Sequence, residues 1–139
     1  MQIMKWLSIA SIVALIISCF LPWISIESKN IVVTGFDAAA IKFGEPGLIH
    51  VVVGSIFIIL LLLNKLWSLR TAFFISTFNI AWAIRNFFAL STCSGGECPV
   101  RHTALYVVLI SSVLACIFML FIQKRVDEAK PTQHKEHEE

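Results

Sequence analysis

The main pattern along the chain is a series of long apolar runs separated by short polar segments. Four runs extend over about residues 3–21, 48–63, 71–90 and 103–122. A helix needs about 20 mostly apolar residues to cross the roughly 30 Å hydrocarbon core of a bilayer. The runs do not alternate apolar and polar positions, as the strands of a membrane β-barrel would. The pattern predicts an all-α membrane protein, a bundle of four transmembrane helices.

The composition agrees with this class and excludes others. Of the 139 residues, 58% are apolar and 14% are charged, against about 45–50% and about 25% in soluble domains. We predict a transmembrane domain over residues 1–126, followed by a charged cytoplasmic tail over residues 127–139. The net charge of only +2 gives little attraction for polyanions. We therefore expect the lipid bilayer as a partner, and no nucleic acid.

Lysine and arginine in short loops predict which way the spans face. They concentrate near the N-terminus, between the second and third runs and after the fourth, as Lys5, Lys65, Arg70, Lys124 and Arg125. The loops after the first and third runs offset their cations with carboxylates. We therefore expect a multi-pass protein of the inner or plasma membrane with both termini in the cytoplasm. Loop one (about residues 22–47) and loop three (about 91–102) should lie outside.

Two cysteines fall in loop three, where Cys93 and Cys98 are separated by Ser-Gly-Gly-Glu. Disulfides persist outside the cytosol, and the charge pattern independently places this loop outside. We predict a structural Cys93–Cys98 disulfide, with a redox-active pair or a metal site as the alternatives. The spacing is not the usual one for zinc, so we expect no metal.

The first apolar run also has features of a signal peptide. The sequence Ile16-Ile17-Ser18-Cys19 is similar to a bacterial lipobox, which would make Cys19 a lipidation site after cleavage. However, Phe20 follows the cysteine, where small or polar residues are usual. We favour an uncleaved first helix, and the lipidation of Cys19 stays open.

Loop one predicts a small extracytoplasmic β-hairpin. Trp23–Glu27 alternates apolar and polar positions, as a half-buried strand does. Ser28-Lys29-Asn30 is typical of a turn, and Ile31–Thr34 is rich in β-branched residues that favour strands. The hairpin would cover the outer helix ends, or it would form a recognition surface for a partner protein or a lipid.

Among the polar residues within the predicted spans, four are candidates for a functional role: His50, Asn79, Arg85 and Asn86. Asn79 and Asn86 share one helical stripe, so we expect them to form interhelical hydrogen bonds, and His50 lies near the outer start of the second span. A charge inside a span suggests a functional site by default. Arg85 lies about 120° from Asn79 around the helix, near the outer interface. We expect its side chain to extend outward or to pair with an outer carboxylate, for which the candidates are Asp37, Glu45 and Glu97. The alternative is a role in ligand binding or transport.

Two short motifs carry a resemblance. Leu21-Pro22-Trp23 closes the first run, and Thr34-Gly35-Phe36-Asp37 follows. In this order of parts the chain resembles small, uncharacterised four-helix bacterial membrane proteins, which implies an architecture and no activity. A looser likeness is to claudin-type proteins, although loop one lacks their two cysteines. The chain also resembles quinone-linked four-helix thiol oxidoreductases, but it lacks their second cysteine pair.

The spans contain no recognisable set of catalytic residues. Carboxylates occur only in the loops and the tail, and no Ser/His/Asp or Cys/His set is evident within the runs. We therefore expect a non-enzymatic scaffold or accessory subunit of a membrane complex, without a cofactor. Its partners would be other membrane proteins that bind loop one or the lipid-facing helix surfaces. The alternative function is that of a membrane thiol-redox protein acting through Cys93 and Cys98.

Overall fold

Helices make up most of the chain in the computed structural model, which describes residues 1–38, 42, 44–93 and 95–129. Within these residues there are four helices: α1 (Gln2–Ser18), α2 (Pro46–Leu63), α3 (Leu66–Ser91) and α4 (Thr103–Glu128). In this described part, α2, α3 and α4 are each long and apolar enough to cross a membrane. Helix α1 is apolar as well, but it is shorter, with 17 residues.

The helix ends differ from the predicted spans. Helix α1 ends three residues before the predicted end at Leu21, because the chain turns there and enters a strand at Pro22. Helix α3 begins at Leu66 rather than at residue 71, and α4 continues to Glu128, into the predicted tail. The apolar pattern marks only the part of a helix that is compatible with hydrocarbon, whereas a helix continues into polar surroundings. The rest of the predicted tail, residues 130–139, lies outside the described residues.

The helices form a ring in which sequence neighbours are antiparallel. Helix α1 packs on α2 and α4, and α3 also packs on α2 and α4, with the most extensive contact between α1 and α4. The start of α1 meets the end of α2, where the Lys5 ammonium donates a hydrogen bond to the Asn64 side-chain oxygen Oδ1. The end of α4 meets the start of α3, where the Gln123 amide donates to the Leu69 carbonyl at 2.9 Å. We call this the turn end of the bundle and the opposite one the sheet end.

The core has two parts along the bundle axis. Near the turn end, Phe57 and Leu61 of α2 pack with Met119 and Ile122 of α4. Near the sheet end, a second cluster forms from all helices except α2 and from the strands, and it includes Leu15, Trp23, Leu90, Leu105 and Val108. Many large apolar side chains on the outer helix faces are exposed, an arrangement that suits a lipid environment.

Three short strands cover the sheet end: β1 (Pro22–Ile26), β2 (Ile31–Thr34) and β3 (Val100–Arg101). They form an antiparallel sheet in the order β2-β1-β3. The predicted hairpin of loop one is thus present, with a short 3-10 turn at Glu27–Lys29 between its strands. The third strand was not predicted. It comes from loop three, so the sheet joins the two loops into one unit, which we call the cap.

Candidate functional site beneath the cap

The cap is fixed to the bundle by a fully buried tryptophan. The Trp23 indole nitrogen donates a hydrogen bond to the Ser18 carbonyl oxygen, at the end of α1, at 2.9 Å. The Trp23 carbonyl accepts a bond of 2.8 Å from the backbone nitrogen of His102, which precedes α4. The His102 ring lies 3.1 Å from the Ser25 hydroxyl. Strand β1 is therefore bonded to the ends of both α1 and α4.

Two glycines bring loop one directly onto α2. The backbone nitrogen of Gly47 donates to the Gly35 carbonyl at 2.6 Å, and that of Gly35 donates to the Cys19 carbonyl at 3.1 Å. A Cβ atom built on Gly47 would lie 2.8 Å from backbone atoms of Gly35. Such a distance is too short for a side chain, so the close approach requires glycine here. The contact joins the ends of α1, β2 and α2.

A polar cluster lies inside the bundle at this end. His50 of α2 and Asn86 of α3 are 0% exposed, and Asn79 of α3 is also buried. The His50 Nδ1 atom is 2.7 Å from the Asn79 Oδ1 atom, and its Nε2 atom is 3.5 Å from the Asn86 Nδ2 atom. The Trp23 ring meets the imidazole edge-on, with the ring centres 6.3 Å apart. The structure thus brings together three of the four candidate polar residues that the sequence placed within predicted spans.

The hydrogen-bond pattern indicates the role of each atom. The Asn79 Oδ1 atom can only accept, so His50 Nδ1 carries the proton, and Nε2 accepts from the Asn86 amide. The Asn86 Oδ1 atom has no hydrogen-bond partner among the described residues. This arrangement links α2 to α3 and fixes the ring orientation. The sequence could not show the link, because the face that His50 presents depends on how the two helices pack.

Arg85 lies on a different face of α3. Its side chain is exposed, whereas Asn79 and Asn86 are buried. The guanidinium carbon is 4.9 Å from the centre of the Trp82 ring, a cation–π arrangement. The Trp82 indole in turn donates to the Pro46 carbonyl, at the start of α2, at 3.2 Å. The proposed pairing of Arg85 with an outer carboxylate stays a prediction.

The three candidate carboxylates all lie at the sheet end. Asp37 follows β2, where its backbone nitrogen donates to the Thr34 hydroxyl at 3.0 Å, and Glu45 precedes α2. Glu97 of loop three forms an ion pair with Lys29 of the hairpin, at 3.4 Å. A hydrogen bond from the Ser28 side chain and the nearby Lys29 ammonium lower the pKa of Glu97 from its ordinary value. The Glu97 carboxylate is therefore charged at neutral pH, and its ion pair with Lys29 joins loop three to loop one a second time.

The cysteines fall into two groups. The sulfur atoms of Cys93 and Cys98 are 2.03 Å apart, a disulfide distance. Both residues are exposed, and Gly95 and Gly96 between them have positive φ angles of 63° and 84°, which glycine adopts readily. Cys19 is buried at the end of α1, and Cys116 is partly buried in α4. Within the described residues, no three His, Cys, Asp or Glu side chains are grouped so that they could hold a metal ion.

Comparison with known proteins adds no family. No protein-family model matches the chain, and neither a curated protein nor a solved structure matches it. The resemblance to small four-helix bacterial membrane proteins therefore rests on the two short motifs alone.

Proposed function

We propose that the chain is a four-span integral membrane protein that acts as a scaffold or accessory subunit without catalysis of its own. In this proposal the membrane is the inner or plasma membrane, both termini are cytoplasmic, and the cap faces outward. The observation that carries the proposal is the cap itself. The sheet, the Gly35–Gly47 contact and the Lys29–Glu97 pair give the loops one shape fixed to the bundle. A fixed surface at the end of a bundle suits binding to another protein.

The distribution of charge and aromatic residues supports the orientation. The turn end has five cations and two carboxylates among its described residues: Lys5, Lys65, Arg70, Lys124, Arg125, Asp127 and Glu128. An excess of lysine and arginine is typical of the cytoplasmic side. Trp6 and Trp67 near the turn end are exposed, as is Tyr106 near the sheet end, and such residues favour the two membrane interfaces. Helix α1 has 17 residues and is therefore about 25 Å long. A helix of this length can cross the bilayer if the bilayer thins locally or if flanking polar side chains extend to the headgroups.

Cysteine labelling in intact cells tests this topology. In a background without native cysteines, we expect an impermeant maleimide to label Ser28→Cys in the hairpin turn. Lys65→Cys in the α2–α3 turn and Gln2→Cys at the start of α1 should react only after the membrane is permeabilised. Labelling of Gln2→Cys from outside, with Lys65→Cys protected, would show that α1 does not span. The reverse pattern at all three positions would invert the orientation.

The outer face of the sheet offers a specific contact surface. Val32 of β2 and Val100 of β3 are both opposite Ser25 of β1, so the three residues form one row across the sheet. The valines are 54% and 46% exposed. Apolar side chains exposed on a fixed sheet outside the lipid region suit an extracytoplasmic segment of a membrane-protein partner.

Site-specific photo-cross-linking tests this contact in native membranes. We expect a photoreactive phenylalanine at Val32 or Val100 to give one discrete adduct with another membrane protein. The matched control is Ile110, 56% exposed on the outer face of α4, which should give only lipid adducts. The substitution Val32→Glu should abolish the adduct formed from position 100 and leave the melting temperature unchanged. Protein adducts from Ile110 but not from Val32 or Val100 would show that the partner binds the lipid-facing surface of α4 and not the sheet.

Native membranes that contain the wild-type chain also test the thiol-redox alternative. If the Cys93–Cys98 pair is structural, rapid thiol blocking should find both residues fully oxidised. A mixture of oxidised and reduced protein that responds to an added quinone would contradict the accessory role and favour redox chemistry.

A further inference from the structure

A groove at the turn end, far from the cap, contains a buried cation. The groove runs between α1 and α2, has a volume of about 140 Å³ and is lined by polar Gln2, Lys5 and Asn64 and by apolar Trp6, Ile9, Leu61 and Leu62. A second groove, between the α2–α3 turn and the end of α4, also includes Asn64 and adds Arg125. Two cationic side chains therefore flank Asn64, one from α1 and one from α4.

Lys5 is the unusual residue of this groove. It lies in the first turns of α1 and is only 6% exposed. Its ammonium donates to the Asn64 side-chain oxygen, and in the described part of the chain no carboxylate forms an ion pair with it. An ammonium has three donors, so two N–H groups are available for another acceptor. A buried charge without an opposite charge is costly, which favours an anionic ligand here.

The depth of the groove indicates which kind of anion would reach it. Trp6 is adjacent to Lys5 in the chain, and Trp67 lies in the first turn of α3; both are exposed. Tryptophan at such positions marks the level of the lipid headgroups. This step rests on the proposed membrane-spanning function. A cation at that level, beside an apolar wall that continues toward the bilayer centre, matches a phosphate attached to acyl chains.

We propose that this groove is a binding site for an anionic phospholipid. The Lys5 ammonium and the Asn64 amide nitrogen would donate to the headgroup phosphate, with Arg125 contributing charge from the neighbouring groove. Ile9 and Leu62 would contact an acyl chain. Free phosphate shares the headgroup chemistry but would gain nothing from the apolar wall, so the proposal is specific for the lipid.

The test uses the full chain purified in a neutral detergent and exposed to an equimolar mixture of dioleoylphosphatidylglycerol and dioleoylphosphatidylcholine. Native mass spectrometry then measures the bound lipids. We expect a preference of about fivefold or more for phosphatidylglycerol, the factor that one lysine near an anionic surface supplies. Lys5→Gln should reduce the preference to near unity, and Lys5→Arg should keep most of it. The matched control Lys124→Gln removes an exposed cation that does not line the groove and should keep the full preference.

A second variant and a phosphate competition separate lipid binding from misfolding and from binding of free phosphate. If Lys5→Gln fails to fold, Leu62→Trp fills the groove without touching the Lys5–Asn64 bond, and it should lower phosphatidylglycerol occupancy. Equal binding of the two lipids by the wild-type chain, or an unchanged preference in Lys5→Gln, would overturn the proposal. Displacement of the lipid by millimolar inorganic phosphate would assign the site to free phosphate and would also overturn it. Reconstitution into phosphatidylcholine vesicles tests membrane insertion separately, since a failure there contradicts the proposed function and not only the lipid site.

Discussion

The substitution Gly47→Ala should destabilise the protein strongly and loosen the cap. The new methyl group would lie 2.8 Å from the carbonyl group and Cα of Gly35, so loop one and α2 would have to separate. The obstacle is backbone rather than a side chain that can rotate away. Separation would also break the 2.6 Å hydrogen bond from the Gly47 nitrogen to the Gly35 carbonyl. Overpacking costs about 1–3 kcal/mol in protein cores, and we expect the upper part of that range.

Gly54→Ala in the same helix is the matched control. Its Cβ atom would meet the Ile12 Cγ2 methyl at 2.9 Å, which is a contact with one side chain rather than with the backbone of another segment, so we expect less strain than at Gly47. Alanine is also favoured over glycine inside a helix by about 0.5–1 kcal/mol, which offsets the crowding. Thermal unfolding in mild detergent should therefore show a clear loss of stability for Gly47→Ala and a change within about 1 kcal/mol for Gly54→Ala. Equal stability of the two variants would mean that the Gly35–Gly47 contact does not hold the cap.

The contact between Gly35 and Gly47 is a feature of the fold that the sequence could not predict. Gly35 directly follows β2, and Gly47 lies in the first turn of α2, which begins two residues before the predicted span. Their contact is invisible in the sequence, because it joins residues that only the folded bundle brings together. The hairpin was predictable because strand alternation and turn residues are local signals. Strand β3 was not, since two residues carry no period and their pairing with β1 is a long-range event.

For the polar residues, too, the sequence predicted local placement but not long-range contacts. Helical periodicity placed Asn79 and Asn86 on one face of α3 and Arg85 on another, and the structure has the first two buried and the third exposed. The partner of a buried amide is set by the neighbouring helix and its rotation, so the contact with His50 could not be predicted. For Lys5, the sequence predicted the wrong surroundings. Counted as a loop charge for orientation, it is instead buried against Asn64, and only the groove around it suggests lipid binding.

A double-mutant cycle on His50 and Asn79 should reveal a favourable coupling between α2 and α3. The Nδ1–Oδ1 distance of 2.7 Å is short and both groups are buried. His50→Leu removes the hydrogen-bond partner of the Asn79 oxygen and of the Asn86 amide, and an unsatisfied buried group costs about 1–3 kcal/mol. Asn79→Leu leaves the imidazole N–H unpaired in turn. The double variant removes both groups, so it should be more stable than the sum of the single losses predicts.

The expected size of the coupling comes from other membrane helices, where hydrogen bonds average about 0.6 kcal/mol and reach about 1.7 kcal/mol. The short distance and complete burial favour the upper half of that range. Thr77→Val is the matched control on α3, because within the described residues the exposed Thr77 hydroxyl bonds to the Phe73 carbonyl of its own helix, at 3.0 Å, and to no other helix. Combined with His50→Leu it should show additive losses. Additivity for His50 and Asn79 as well would mean that the buried cluster does not couple the two helices.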